Sequence, residues 1–504
     1  MKRPIHLMIV AAFLLAAVCS CRHQCIVRVD GGWIEGTRDG ILSVYKGIPF
    51  AAPPVGELRW KEPQPVEGWK GVLQTKEFAP SPMQANADLD NISEDCLYLN
   101  VWTPARTPAD KLPVMVWIYG GGFSIGSTSY PYCDGAELAR KGVVVASIAY
   151  RLGYLGFLVH PELSAESSEG VSGNYGLLDQ IAGLRWVKDN IEAFGGDPDN
   201  ITVFGQSAGA ISISMLCASP LAEGLFQRAI SQSGGSFSPC RETAYPGENM
   251  KTMEMAAADG KAYMESLKVN SLEEMRALPD SIFARPYDAT GGPGPVIDGY
   301  VLPDDQYNLY KAGRYNDVDL LIGYNSDEGE AFTDKDSTRH IRKMYERFGE
   351  YAPALLDAYP VTSNPVPKSG RDLLRDASFG WHTWTWARLK AETGKARIFL
   401  YYFDRHNAAP GSDLGAVHGS EVEYVFQHQT GEHPGDMDFG RMIGEYWTNF
   451  AATGDPNGEG LPQWPEFTGS NQQAMYLTDE DSHAGEVPDK ESMTLLDAFF
   501  ASRR

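Results

Sequence analysis

The chain is short of positive charge. Against 66 Asp and Glu stand only 43 Lys and Arg, a formal net charge of −23 at pH 7. A surface of that sign repels polyanions, so nucleic acid is excluded as a partner and anionic membranes are poor ones. Cysteine is scarce as well: there are 7, at positions 19, 21, 25, 96, 133, 217 and 240. None belongs to a paired C-x-x-C pattern, which excludes a cysteine-held zinc, and no metal is expected. Beyond the first twenty residues no apolar run is long enough for a transmembrane helix. No internal repeat or low-complexity linker divides the chain. What is there, 43% hydrophobic and 22% charged residues over 504 positions, suits a globular protein with a sizeable core.

Residues 1–20 have the form of a secretion signal. Lys2 and Arg3 supply its positive start, and Ile9 to Val18 an apolar core too short to persist as a spanning anchor. Cys19-Ser20-Cys21 comes next. The stretch resembles a bacterial lipoprotein signal with Cys21 as the lipidated residue, although Cys19, two places earlier, departs from the usual pattern. A lipid on Cys21 would be the chain's one attachment to a membrane. Cleavage without lipidation would instead give a soluble exported protein. Either location permits disulfides.

From residue 26 onward the pattern is that of an α/β protein. Residues 26–50 predict two early strands. The proline-bearing stretch from Tyr45 to Trp60 predicts an extended surface segment rather than a central strand. Strands are expected at 97–102, 112–119, 143–150, 200–204 and 228–234, and an amphipathic helix at 176–193, stopped by Gly195-Gly196-Asp197-Pro198. Alternation of strand and helix over 112–234 implies a mostly parallel central sheet with helices on both faces. Strands return at 319–324, 396–403 and 474–477. The polar stretches 240–290 and 335–395 read as helical insertions above the C-terminal edge of the sheet, where α/β ligands bind. A single domain over 26–504 is expected.

The chemistry gathers around Gly205-Gln206-Ser207-Ala208-Gly209. This G-x-S-x-G follows a β-branched, aromatic run and precedes a small, apolar one, the strand–turn–helix setting of an exposed nucleophilic serine. A second match, Gly122 to Gly126, follows a glycine run and precedes polar, turn-rich residues, so Ser124 reads as a loop residue. Gly120-Gly121-Gly122, directly after a buried strand, suits a loop whose backbone N–H groups face a ligand. A serine at neutral pH needs a base, and the base an orienting carboxylate. In Asn325-Ser326-Asp327-Glu328-Gly329 two acids compete, and spacing does not choose between them. His418, flanked by Gly415 and Gly419, is the candidate base. His382, among Trp381, Trp384 and Trp386, reads as a packing residue, and His428, His433 and His483 as surface residues.

These residues resemble the type-B carboxylesterases, the family of carboxylesterases, cholinesterases and bacterial nitrobenzyl esterases. The resemblance runs from about Val27 to the last strand. It is carried by Lys46-Gly47-Ile48-Pro49 through Leu58-Arg59-Trp60, by Glu94-Asp95-Cys96-Leu97-Tyr98-Leu99-Asn100, by Phe194 to Pro198 leading into the serine motif, and by Gly415 to Glu421. It implies an α/β-hydrolase fold, a Ser207–Glu328–His418 triad, and Gly121, Gly122 and Ala208 as oxyanion-hole donors. It implies a supporting place for Ser233 near the triad and structural roles for Glu94 and Arg151. The expected activity is hydrolysis of a small-molecule ester through an acyl-enzyme, with no cofactor and no metal. Three departures matter. The cysteine that the family pairs with Cys96 is missing, since Pro82 or Met83 stands there. Gln206 also replaces the glutamate of cholinesterases, and the tryptophan that stacks on choline is absent, which removes attraction for a quaternary ammonium. The same triad would serve an amidase or thioesterase, and a non-catalytic binding protein on this fold is the rival from another class.

Overall fold

Runs of Val, Ile, Leu and aromatic residues form an eleven-stranded sheet in the computed structural model. It describes residues 25–86, 89–285, 292–406, 412–429, 431, 435–478 and 481–504; the leader with Cys21 and the side chain of His433 lie outside the described residues. In chain order the strands of this sheet are β1 (Thr37–Asp39), β2 (Leu42–Pro49), β3 (Tyr98–Thr103), β4 (Leu112–Ile118), β5 (Val144–Ile148), β6 (Gly196–Gln206), β7 (Arg228–Gln232), β8 (Asp319–Asn325), β9 (Ile398–Asp404), β10 (Gln473–Thr478) and β11 (His483–Glu486). Across the sheet they run β11-β10-β9-β8-β7-β6-β4-β5-β3-β2-β1. From β5 through β4 and β6 to β10 every pairing is parallel, and both outer parts are antiparallel.

The order fixes where a ligand can sit. β5 lies on one side of β4 and β6 on the other, so the winding reverses at β4, and a crevice opens beyond the C-terminal ends of β4 and β6. The run Ile201, Thr202, Val203 and Phe204 in β6 is fully buried, as Val114 to Ile118 are in β4. Such continuous apolar strands are what a parallel sheet covered on both faces demands. Helix α1 (Tyr175–Asn190) carries buried residues around most of its circumference, including Asp179 and Gln180. The amphipathic helix expected there is thus enclosed by its neighbours. Helix α2 (Ala208–Ala218) is buried along its whole length.

Two expectations need correction. Residues 26–50 hold four strands, not two: Ile26–Val29 and Gly32–Glu35 pair with each other in a small separate sheet, and β1 and β2 join the large one. The proline-bearing segment is not an extended surface strip either. Its start is β2, where Pro49 is the last residue and gives up no interior ladder bond. Its end is buried, with Arg59 at 5% and Trp60 at 2% exposure. The Arg59 guanidinium forms a paired fork with Glu94, Nε to Oε1 at 2.6 Å, and donates to the carbonyls of Arg276 and Leu278. Trp60 donates its indole N–H to the Tyr154 carbonyl at 2.8 Å. Polar side chains with built-in partners bury this stretch despite its prolines. Arg151 is tied in the same way to buried Asp179. Cys96 is buried and free, beside Pro82 and Met83. The other described cysteines, Cys25, Cys133, Cys217 and Cys240, are free as well.

Candidate active site

The end of β6 makes a forced turn. Ser207 has φ 56° and ψ −124°, a conformation that costs a non-glycine residue about 1–3 kcal/mol. The strain is sustained by what surrounds it. The Ser207 N–H extends the ladder to the Gln232 carbonyl (2.9 Å), and its own carbonyl accepts from Ile211 in the first turn of α2 (2.8 Å). A Cβ on Gly209 would lie 2.0 Å from the Ile118 carbonyl oxygen, so glycine is what lets α2 close onto the end of β4. Ser207 is left half-buried at the N-terminus of α2, where first-turn N–H groups have no helical partner. Ala208 is the first of these.

The loop after β4 brings Gly121 and Gly122 to the same end of the sheet, at φ +109° and +61°. A Cβ on Gly121 would lie 2.1 Å from the Ile125 carbonyl oxygen. Among the described residues no acceptor takes the N–H of Gly121 or Gly122, which leaves both for a ligand. Ser124 lies in this loop and donates its hydroxyl to the Gly122 carbonyl, as a loop residue should.

Beyond β8 the two competing acids part company. Asp327 is held by the Arg371 guanidinium, at 2.9 Å to Nε and 2.8 Å to Nη2. Glu328, fully buried, accepts the backbone N–H of Asn325 on Oε1 (2.7 Å) and meets His418 Nδ1 with Oε2. The loop carrying His418 is stitched to the acid loop. Asp327 donates its N–H to the Ala416 carbonyl, Ala416 donates to Ser326 Oγ, and Asn325 donates its amide to the Val417 carbonyl. The His418 side chain is 16% exposed. Phe379 and Phe332 lie against its ring, centroids 4.9 Å and 5.7 Å away. Phe379 belongs to a π-helical turn, Asp376–Gly380.

A second buried carboxylate stands behind this pair. Glu421 accepts from the Asn325 side chain (2.6 Å) and from Gln232 (3.1 Å), whose other end accepts the Trp447 indole N–H. Burial, then the charge of Glu328, push Glu421 above the ordinary carboxylate range. Burial pulls His418 down, but the charge and hydrogen bond of Glu328, with Glu421 added, outweigh it and leave the imidazole raised. Phe332 and Phe379 carry no motif, while Asn325 and Glu421 stand at the ends of the Asn325–Gly329 and Gly415–Glu421 segments without a role read from either. The signal for Glu421 is its spacing three residues after His418, and for Asn325 its place just before the acids.

Ser233 is completely buried at the end of β7, at φ +57°, with no partner for its hydroxyl among the described residues. His382 is packed between Trp381 and Phe500 and accepts the Phe237 N–H on Nδ1; burial, then Arg347, lower it to about 3. His428 meets the Asp134 carbonyl, and His483 lies exposed. Among the described residues no group of three His, Cys, Asp or Glu is arranged to hold a metal ion.

A doubly wound sheet that presents a serine in a strained strand-to-helix turn at its switch point is the α/β-hydrolase arrangement. The Carboxylesterase family model matches residues 23–495. The fumonisin B1 esterase of Sphingopyxis macrogoltabida is 38% identical over 463 residues, 87% of this chain and 84% of that protein. The para-nitrobenzyl esterase of Bacillus subtilis (strain 168) is 35% identical, covering 91% of this chain and 95% of its own length. Among solved structures, a Geobacillus stearothermophilus carboxylesterase superposes with a TM-score of 0.81 at 32% identity, over 94% of this chain and 100% of that one. The chain belongs to the carboxylesterase family. It is accordingly a carboxylic ester hydrolase of the serine type.

Proposed function

We propose that the chain hydrolyses a small-molecule carboxylic ester through an acyl-enzyme on Ser207, with His418 as base and Glu328 as its orienting acid. The observation that carries this reading is the buried Glu328 bonded to His418 Nδ1, while His418 Nε2 meets Gln206, the residue before a serine held in a strained turn. Glu328 fixes the tautomer with its proton on Nδ1, so Nε2 offers a lone pair. Nε2 takes the hydroxyl proton as Oγ bonds to the ester carbonyl carbon, and the carbonyl electron pair moves onto oxygen. The N–H groups of Gly121, Gly122 and Ala208 receive that oxyanion, each worth roughly 3 kcal/mol in the transition state. The imidazolium then protonates the leaving alcohol, and water, deprotonated by the same nitrogen, releases the acid. No step calls for a metal or cofactor. Ser233 stands behind the site at the neighbouring strand end.

Relatives named for fumonisin B1 and for para-nitrobenzyl esters support a small ester as substrate. We further propose that residues 26–504 act as one domain, that residues 1–20 direct export, and that Cys21 carries a lipid holding the enzyme to a membrane. Hydrolysis of p-nitrophenyl esters of increasing acyl length by the mature protein, beside Ser207→Ala, tests the catalytic reading. Activity in the parent and a fall of ~10⁴-fold or more in the variant is the expected result. Equal activity in the two overturns Ser207, and cleavage of anilides as fast as esters would move the assignment to an amidase.

A further inference from the structure

Gln206 immediately precedes Ser207, and its side chain crosses to the histidine. The amide Nε2 lies 3.1 Å from His418 Nε2. Because Nδ1–H is given to Glu328, Nε2 of the neutral ring is an acceptor, and the Gln206 amide donates to it. Among the described residues His418 Nε2 is hydrogen-bonded to Gln206 and not to Ser207. This is the nitrogen that must take the serine proton if Ser207, His418 and Glu328 form the triad.

We infer that Gln206 is a positioning residue that holds His418 in a resting state, with the Nε2 lone pair occupied until substrate draws Ser207 and the ring together. The NH2 group donates to the neutral imidazole and offers nothing to accept the proton of an imidazolium Nε2–H, so the contact favours the neutral ring, without a net charge beside the nucleophile. The titratable groups that face the ring are Glu328 from the acid loop, bonded to Nδ1, and Glu421 from the turn after His418. The rings of Phe332 and Phe379 cover the remainder. Gln206 is therefore the hydrogen-bonding contact on the reacting nitrogen among the described residues, and it tunes a basicity that Glu328 raises.

The test is the pH profile of kcat/KM on a p-nitrophenyl ester for the parent, Gln206→Met and Gln206→Glu, with Ser207→Ala alongside. A donor to Nε2 favours the neutral ring, so its loss in Gln206→Met raises the acid limb by roughly 0.3–1 pH unit and raises the plateau roughly two- to tenfold, the size of one hydrogen bond. Gln206→Glu, nearly the same shape, cannot donate and favours the imidazolium, so its limb moves up further. An acid limb that stays in place, or moves down, in either variant overturns the role of Gln206. Retained activity in Ser207→Ala sinks the triad itself, so the two failures are told apart.

Discussion

Neighbouring strands β6 and β7 end in the same way and do different things. Each finishes in a serine in the left-handed region, Ser207 at φ 56° and Ser233 at φ 57°. Each serine passes its N–H on to the next strand, Ser207 to Gln232 and Ser233 to Gly323. The difference lies in the residues that come next. After Ser207 comes α2, with free N–H groups at its start, and the hydroxyl stays half-buried in the crevice. After Ser233 comes Gly234, packed so tightly that a Cβ would lie 2.4 Å from that of Ala210, and the hydroxyl is sealed in without a partner among the described residues. Strain at a strand end is therefore not the mark of a reacting serine. The mark is strain together with an accessible face and donors ahead.

Three substitutions probe this contrast. The largest effect is expected from Glu328→Gln, which keeps the shape around β8 but withdraws the charge that orients His418: kcat should fall by ~10⁴-fold with little change in KM. A fall below tenfold would mean that Asp327 or Glu421 takes its place. Gly121→Ala should come next. The added methyl meets the Ile125 carbonyl at 2.1 Å and the backbone conformation is unfavourable for alanine, so the loop must shift and a donor is lost, for ~10²–10³-fold in kcat. Steady-state kinetics with a circular dichroism check of folding would read this. Ser233→Ala should do least. It removes a buried hydroxyl without a described partner, so kcat stays within about twofold and stability holds or rises by up to ~1 kcal/mol in a thermal melt. A hundredfold loss of activity there would erase the distinction between the two strand ends.

The parts of this site that depend on local pattern are legible in the residues. The buried β4, the glycines after it, the G-x-S-x-G turn and the long helical stretches all announce themselves by periodicity or by glycine placement. Long-range pairing is not legible. Nothing local distinguishes Asp327 from Glu328; a guanidinium more than forty residues later, Arg371, claims the first and leaves the second for His418. The burial of Arg59 and Trp60 escapes a local reading for the same reason, because Glu94 and the carbonyls near Arg276 enclose them and neither is a neighbour in sequence. The proline signal is sound about the backbone and silent about side chains. Phe379, turned onto His418 by a π-helical step, has no sequence signature at all.

The seam between the loops after β8 and β9 has a mechanical meaning. Asn325, Ser326 and Asp327 are joined to Ala416 and Val417 by backbone and side-chain bonds, so the acid and the base ride on a common platform. The serine rides on another, the β6–α2 junction, and Gln206 is a tether between them. The separation of Glu328 and His418 is fixed by bonds within one seam, while Gln206 spans the gap to the serine platform. If Ser207, Glu328 and His418 form the proposed triad, a substrate that closes this gap would complete the alignment of all three groups.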